Sequence, residues 1–237
     1  MTLLTAVQNV CCAVGIPKPS SVVGNNDVDI EQLLALMKEE GRSLSRRYPW
    51  QALQRTFSHT TTAATNQGAV SAIMPGILWQ HNQTLWNSTQ QDPIRGAITA
   101  QLRQAKLSLT EAGPYYDYWV ENGDLNFYPT PTAGDVVTGV YISNYWVNSS
   151  SGTDQTNWQA DSDVCVIDET DFLLEMGLKW RWLRSRKFDY IDERNEYEAE
   201  VKQAMARDAG AELKYLGGTG LVATEPYARA PEGSWNL

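Results

Sequence analysis

Apolar residues recur at helical spacing at both ends of the chain, and at alternating or turn-broken spacing between them. Over residues 2 to 14, Leu3, Leu4, Val7, Val10, Cys11 and Val14 form one stripe of a 3.6-residue period, which predicts an amphipathic helix. Gly15, followed by Pro17 and Pro19, closes it. After the polar stretch Val23-Gly-Asn-Asn-Asp27, Asp29 with Gln32 has the form of a capping box. A second helix then runs to about Arg47, with Ile30, Leu33, Leu34, Met37, Gly41, Leu44 and Tyr48 on one face, and Pro49 stops it.

The texture then changes. Residues 55 to 64 are rich in β-branched Thr and predict a strand. Residues 77 to 89 fit a strand or a short helix equally. A short helix follows Thr99, and Tyr115–Val120 and Asp124–Tyr128 flank Asn122-Gly123, the pair favoured in tight hairpins. Val136 to Val147 alternates as one long strand. Residues 148 to 163 form a polar loop with Trp158 inside it, either mobile or a contact loop.

Two more helices follow, over 168–187 and about 190–208. The first has two stripes: Phe172, Leu173, Met176, Trp180 and Leu183 on one side, and Leu174, Leu178 and Trp182 more than a quarter-turn away. One apolar stripe suffices for a helix at the surface of a lone domain. The second stripe therefore predicts a neighbouring subunit against Leu174, Leu178 and Trp182. Beyond Gly210 the chain is broken by Gly217-Gly218, Gly220, Pro226 and Pro231, with Leu216, Leu221, Tyr227 and Trp235 scattered through it. Such a tail holds too few apolar groups for a core of its own and is expected to seek a partner.

The fold class expected is α+β. Helices from the two chain ends (1–50 and 166–209) form an antiparallel bundle, a β-rich domain (51–165) is inserted between them, and an extended tail (210–237) follows.

Composition narrows the function. A net charge of −9 disfavours tight nucleic-acid binding, which rests on phosphate neutralisation by Lys and Arg. The basic run Lys179–Lys187, interleaved with Trp180 and Trp182, is better read as pairing with acidic helix faces than as a nucleic-acid patch. No apolar run of membrane-spanning length is present, and the N-terminus lacks a secretory pattern, so a cytosolic product is expected. Cys11, Cys12 and Cys165 lack metal or disulfide spacing and are expected as buried thiols.

Neither a nucleophile elbow nor a phosphate-cradling loop nor a zinc-protease motif occurs, so no catalytic residue, metal or cofactor is assigned. Gly217-Gly-Thr-Gly220 lacks the strand and Lys of a phosphate loop. Asp161, Asp163, Asp168, Glu169 and Asp171 do not follow the EF-hand register, and Asp168 fits a helix cap.

Several short motifs recur in a set order: Arg46-Arg47-Tyr-Pro-Trp50-Gln-Ala-Leu, Leu85-Trp86-Asn, the hairpin Asn-Gly-Asp-Leu-Asn-Phe-Tyr-Pro at 122–129, Tyr141 to Trp146, and Gly177-Leu-Lys-Trp-Arg-Trp with Tyr190 and Tyr197 after it. Together, over about residues 1 to 210, they resemble the head-to-tail adaptor (connector) proteins of short-tailed bacteriophages. The resemblance implies a homo-oligomeric ring, usually of about twelve copies, beneath the portal protein. It implies a tail (nozzle) protein docked below, DNA passing through the lumen without specific binding, a place in the virion at the head–tail junction, and no enzymatic activity. The resemblance does not extend to the tail, whose Leu216, Leu221, Tyr227 and Trp235 are expected from their spacing to dock in a groove on the portal or between neighbouring subunits. The alternative is a carbohydrate- or receptor-binding module on the β domain, with Trp119, Trp146 and Trp158 as stacking platforms.

Overall fold

A computed structural model describes residues 1–80, 85–108, 115–167 and 172–208. The tail with Leu216, Leu221, Tyr227 and Trp235 lies outside the described residues, as does the candidate cap Asp168 with Glu169 and Asp171. Within them the chain is a mixed α+β protein whose strands pair antiparallel with one exception.

Helix α1 (Leu3–Val14) starts where the Thr2 hydroxyl accepts the N–H of Thr5 at 3.3 Å. It ends at Gly15, whose φ of 76° suits a residue without Cβ. Helix α2 (Val28–Arg47) is capped by Asp27 rather than by the predicted Asp29: the Asp27 carboxylate accepts the Asp29 N–H at 2.9 Å. The Asp29 carboxylate instead reaches across to Arg186.

A single 3₁₀ turn, Gln51–Leu53, leads into the strands. These are β1 (Gln54–Thr60), β2 (Asn66–Ala69), the one-turn helix α3 (Val70–Ile73), β3 (Ile77–Gln80), β4 (Trp86–Asn87), β5 (Asp92–Pro93) and β6 (Arg95–Gly96). Helix α4 (Ala100–Ser108) intervenes before β7 (Asp117–Glu121), β8 (Asp124–Tyr128), β9 (Val136–Ser143), β10 (Val147–Asn148), β11 (Asp154–Gln155) and β12 (Val164–Cys165). Helices α5 (Phe172–Ser185) and α6 (Ile191–Asp208) complete the described chain.

Strand β9 is the hub of the first sheet, pairing with β1 from Gln54↔Ile142 to Thr60↔Val136 and with both β3 and β4. The second sheet runs β2-β8-β7-β6, with β6 parallel to β7. Its β7–β8 hairpin turns at Asn122 and Gly123, whose φ values of 53° and 84° are those of the turn the Asn-Gly pair predicts. A third, small sheet joins β10 to β11 and β12.

The long strand expected over 136–147 is two pieces. The chain leaves the sheet after Ser143 and drives Trp146, 1% exposed, against α2 at Gly41. Two cores result. Residues of α1, α2, α5 and α6 share one with Trp50, Leu53, Ile142, Trp146, Val147, Trp158 and Cys165. The other is built from sheet residues between Phe57 and Tyr141.

The polar loop 148–163 is a contact loop within its own chain. Trp158 stands edge-on to Trp146, with ring centroids 5.4 Å apart. The Asp161 carboxylate accepts the N–H groups of Val22 at 3.0 Å and Val23 at 2.7 Å. The carbonyls of Asp163 and Asp161 accept the N–H groups of Leu3 and Leu4, donors that the first turn of α1 cannot satisfy within itself.

Candidate functional site

Helix α5 is the centre of the helical body and packs against α1, α2 and α6. The stripe of Leu174, Leu178 and Trp182 is 1%, 0% and 4% exposed inside a single chain. The expectation that this stripe meets a neighbouring subunit is thereby corrected. Three helices of the same chain surround α5, so both stripes are covered without a second copy. Phe172, on the other stripe, is the one left half exposed.

Helices α2, α5 and α6 converge on a buried carboxylate. Glu40 of α2 is 0% exposed. Its Oε2 accepts from Nε of Arg181 on α5 at 2.5 Å, and its Oε1 accepts from the phenol of Tyr197 on α6. Room for Glu40 comes from Gly177, where a Cβ would lie 2.6 Å from the Glu40 carboxyl carbon. Burial, and then the carboxylate beside it, raise the pKa of Tyr197 above the usual tyrosine value. An exposed ion pair, Arg47–Glu198 at 2.9 Å, closes the outside of the junction, with the Arg47 guanidinium 5.8 Å from the Tyr197 ring. Every group of the clasp is paired, so its chemistry is to lock three helices in one register.

Three cations of the basic run are paired similarly. Lys179 lies 3.7 Å from Glu193 of α6, Arg181 also reaches Glu39, and Arg186 reaches Asp29. Two of these three partners are on α2 rather than on the following helix. Arg186 also lies 4.3 Å over the ring of Trp182, and Arg181 4.8 Å over that of Trp180.

In the sheet body, Asp135 is 5% exposed, and its Oδ2 accepts from Asn87, Gln90 and Tyr116 at 3.1, 2.8 and 3.1 Å. This saturates the oxygen and ties the β4–β5 turn to the start of β9. Trp119, Trp146 and Trp158 are 6%, 1% and 4% exposed, which leaves none of them an open ring face for a sugar. Trp146 and Trp158 belong to the helical core. Of the cysteines, Cys11 and Cys165 are buried as expected, and burial pushes the Cys11 thiol up; Cys12 is exposed, contrary to expectation.

Helix α4 differs from the other long helices in burying none of its residues. It is held to β7 by Arg103–Glu121 at 2.7 Å and Lys106–Asp117 at 2.5 Å, with Arg103 5.8 Å from the Trp119 ring. The hydrogen bond from Arg103 holds the Glu121 carboxyl below its ordinary range. Each pair has a partner open to solvent, Glu121 in one and Lys106 in the other, and to that extent is screened by salt. Amide exchange over 100–108 is therefore expected to quicken several-fold between about 0.05 M and 1 M NaCl while exchange in α2 stays constant. Mass-spectrometric exchange at the two salts checks this, and a salt-independent α4 would show that packing, not charge, holds it.

Of the carboxylates considered for calcium, Asp161 and Asp163 are committed elsewhere. Asp163, 1% exposed, accepts the N–H groups of Gln159 and Ala160 at 2.7 and 2.8 Å. Among the described residues, no group of three or more His, Cys, Asp or Glu side chains could hold a metal ion. No helix among them is long and apolar enough to cross a membrane.

What remains open is surface. Val28, Phe188 and Ile191 are 74%, 61% and 61% exposed. Val28 adjoins Asp29 at the start of α2, Phe188 and Ile191 lie where α5 turns into α6, and the Asp29–Arg186 contact links these two segments. One groove runs between α1, α5 and α6, past Asn9, Ala13, Met176 and Glu193, and a second lies beside the last turns of α6. Sequence reasoning missed Glu40 because a lone Glu on a mid-helix face reads as solvated. Comparison with protein-family models gives no match, and comparison with curated proteins gives none either.

Proposed function

We propose that the protein is a structural adaptor of a phage neck. In this reading it forms a ring that joins the capsid portal to the tail and gives DNA a channel, without turnover of any substrate. Its architecture is then an antiparallel bundle of helices from both chain ends, carrying the β domain as an insert.

The observation that carries the proposal is the division into two cores. The first and last helices share one, and Phe57 to Tyr141 build another. This is in keeping with the layout expected from the hydrophobic pattern of the chain, helices at both ends and a β-rich stretch between them. The net charge of −9 suits a wall past which DNA slides without capture. Pairing of Lys179, Arg181 and Arg186 with acids of the same chain removes the cations that would otherwise hold phosphates. Because Leu174, Leu178 and Trp182 are used internally, the contact between copies is drawn from exposed groups, with Val28, Phe188 and Ile191 as its apolar members.

Cryo-electron microscopy of the protein mixed with the portal protein of its phage is the deciding experiment. The expected image class is a closed ring seated under the portal. Free protein beside bare portals, at micromolar concentrations of both, would reject the proposal.

A further inference from the structure

The second groove, about 500 Å³ in volume, is lined by apolar groups such as Trp50, Ile167 and Phe172 and by charged Glu200, Arg207 and Asp208. The last turn of α6 is fixed there. Gln51 donates its backbone N–H to the Asp208 carboxylate at 3.0 Å, and its side-chain amide donates to the Asp208 carbonyl. The chain that follows therefore starts at the groove itself.

We propose that this groove is the seat of the protein's own C-terminal segment, with Leu213, Tyr215 and Leu216 as the groups that enter it. Three features carry the assignment. The groove has an apolar side beside its charged Glu200, Arg207 and Asp208, and Phe172, which lines it, is 50% exposed. The first apolar residues after Asp208 are grouped as Leu-Lys-Tyr-Leu over 213–216, ahead of the Gly217-Gly218 break. Leu213 is five residues beyond Asp208, so an extended chain carries it at most about 17 Å, within the compass of a groove that begins at Asp208.

Tethering selects this occupant over a second copy. A segment joined directly to the groove is present at an effective concentration in the millimolar range, far above the free concentration of any neighbour's tail. The seat requires no ring, so it stands or falls separately from the adaptor role. If both hold, Leu216 must leave the groove before it can meet the portal, and the free protein keeps part of its docking arm folded back.

Hydrogen exchange on the full chain tests the seat. The double variant Leu213→Asp/Leu216→Asp is compared with wild type and with Leu221→Asp/Tyr227→Asp. The expected result is exchange about tenfold faster over residues 50–53 and 164–167 in the first variant alone, with α2 unchanged. Unchanged exchange at those residues overturns the proposal. So does faster exchange that spreads equally through α2, which marks general loosening. Protection that rises with protein concentration over a roughly hundredfold range also overturns it, because a second copy is then the occupant.

Discussion

Replacing Gly41 with alanine is expected to destabilise the protein by about 2 kcal/mol or more, although alanine is the better helix former by about 1 kcal/mol. The added Cβ would lie 2.0, 2.2 and 2.6 Å from three atoms of the Trp146 ring. That ring cannot withdraw: it is 1% exposed and has Trp158 edge-on against it. Relief requires α2 to move away from the loop that also satisfies the first turn of α1, so the loss reaches beyond one contact. Urea denaturation of Gly41→Ala against wild type checks this. A variant as stable as wild type would mean that Trp146 does not bolt the two bodies together.

The second large effect concerns the Glu40 clasp. Arg181→Met keeps the bulk of the side chain and removes its charge, leaving a fully buried carboxylate with the Tyr197 phenol as its remaining partner. Loss of one member of a buried ion pair costs about 3–5 kcal/mol. Replacing Glu40, Arg181 and Tyr197 together by Leu, Met and Phe should restore much of that, since no unpaired group is left behind. A single Arg181→Met within 1 kcal/mol of wild type would falsify the clasp.

The clasp also predicts a pH limit. Tyrosine ordinarily ionises near pH 10. Burial, and then Glu40, keep Tyr197 protonated in the folded chain to higher pH than in the unfolded chain. Its contribution is therefore whole below about pH 10 and declines as pH rises beyond, when only the unfolded chain releases the proton. Tyr197→Phe should flatten the alkaline limb of the stability curve.

How much of this was readable in advance depends on how local each cause is. The extents of α1, α2 and α6 follow from apolar periodicity, and the β7–β8 turn from Asn122-Gly123, because a few neighbouring residues decide them. The break in β9 was not readable. Val136 to Val147 alternates well, and what ends the strand is a space 105 residues upstream, over Gly41. The burial of the Leu174 stripe was misread for a similar reason: counting stripes on one helix does not say how many helices will surround it. A signal for the clasp was nevertheless present. Glycine in a helix interior lowers stability, so Gly41 and Gly177 each mark something approaching closely. Here those are Trp146 and Glu40.

The junction between the two cores has a mechanical consequence. Leu53 and Ile142 are rooted in the helical body, and from there β1 and β9 run into the sheet body as one ribbon, with β3 beside β9. Bending this ribbon within its own plane stretches one strand while compressing its neighbour, and the hydrogen-bonded ladder from Gln54↔Ile142 to Thr60↔Val136 resists that. Bending across the plane leaves the ladder intact. The two bodies are thus joined as by a leaf spring: stiff sideways, compliant along one direction, with its clamped end set in the wall that Trp146 and Gly41 form.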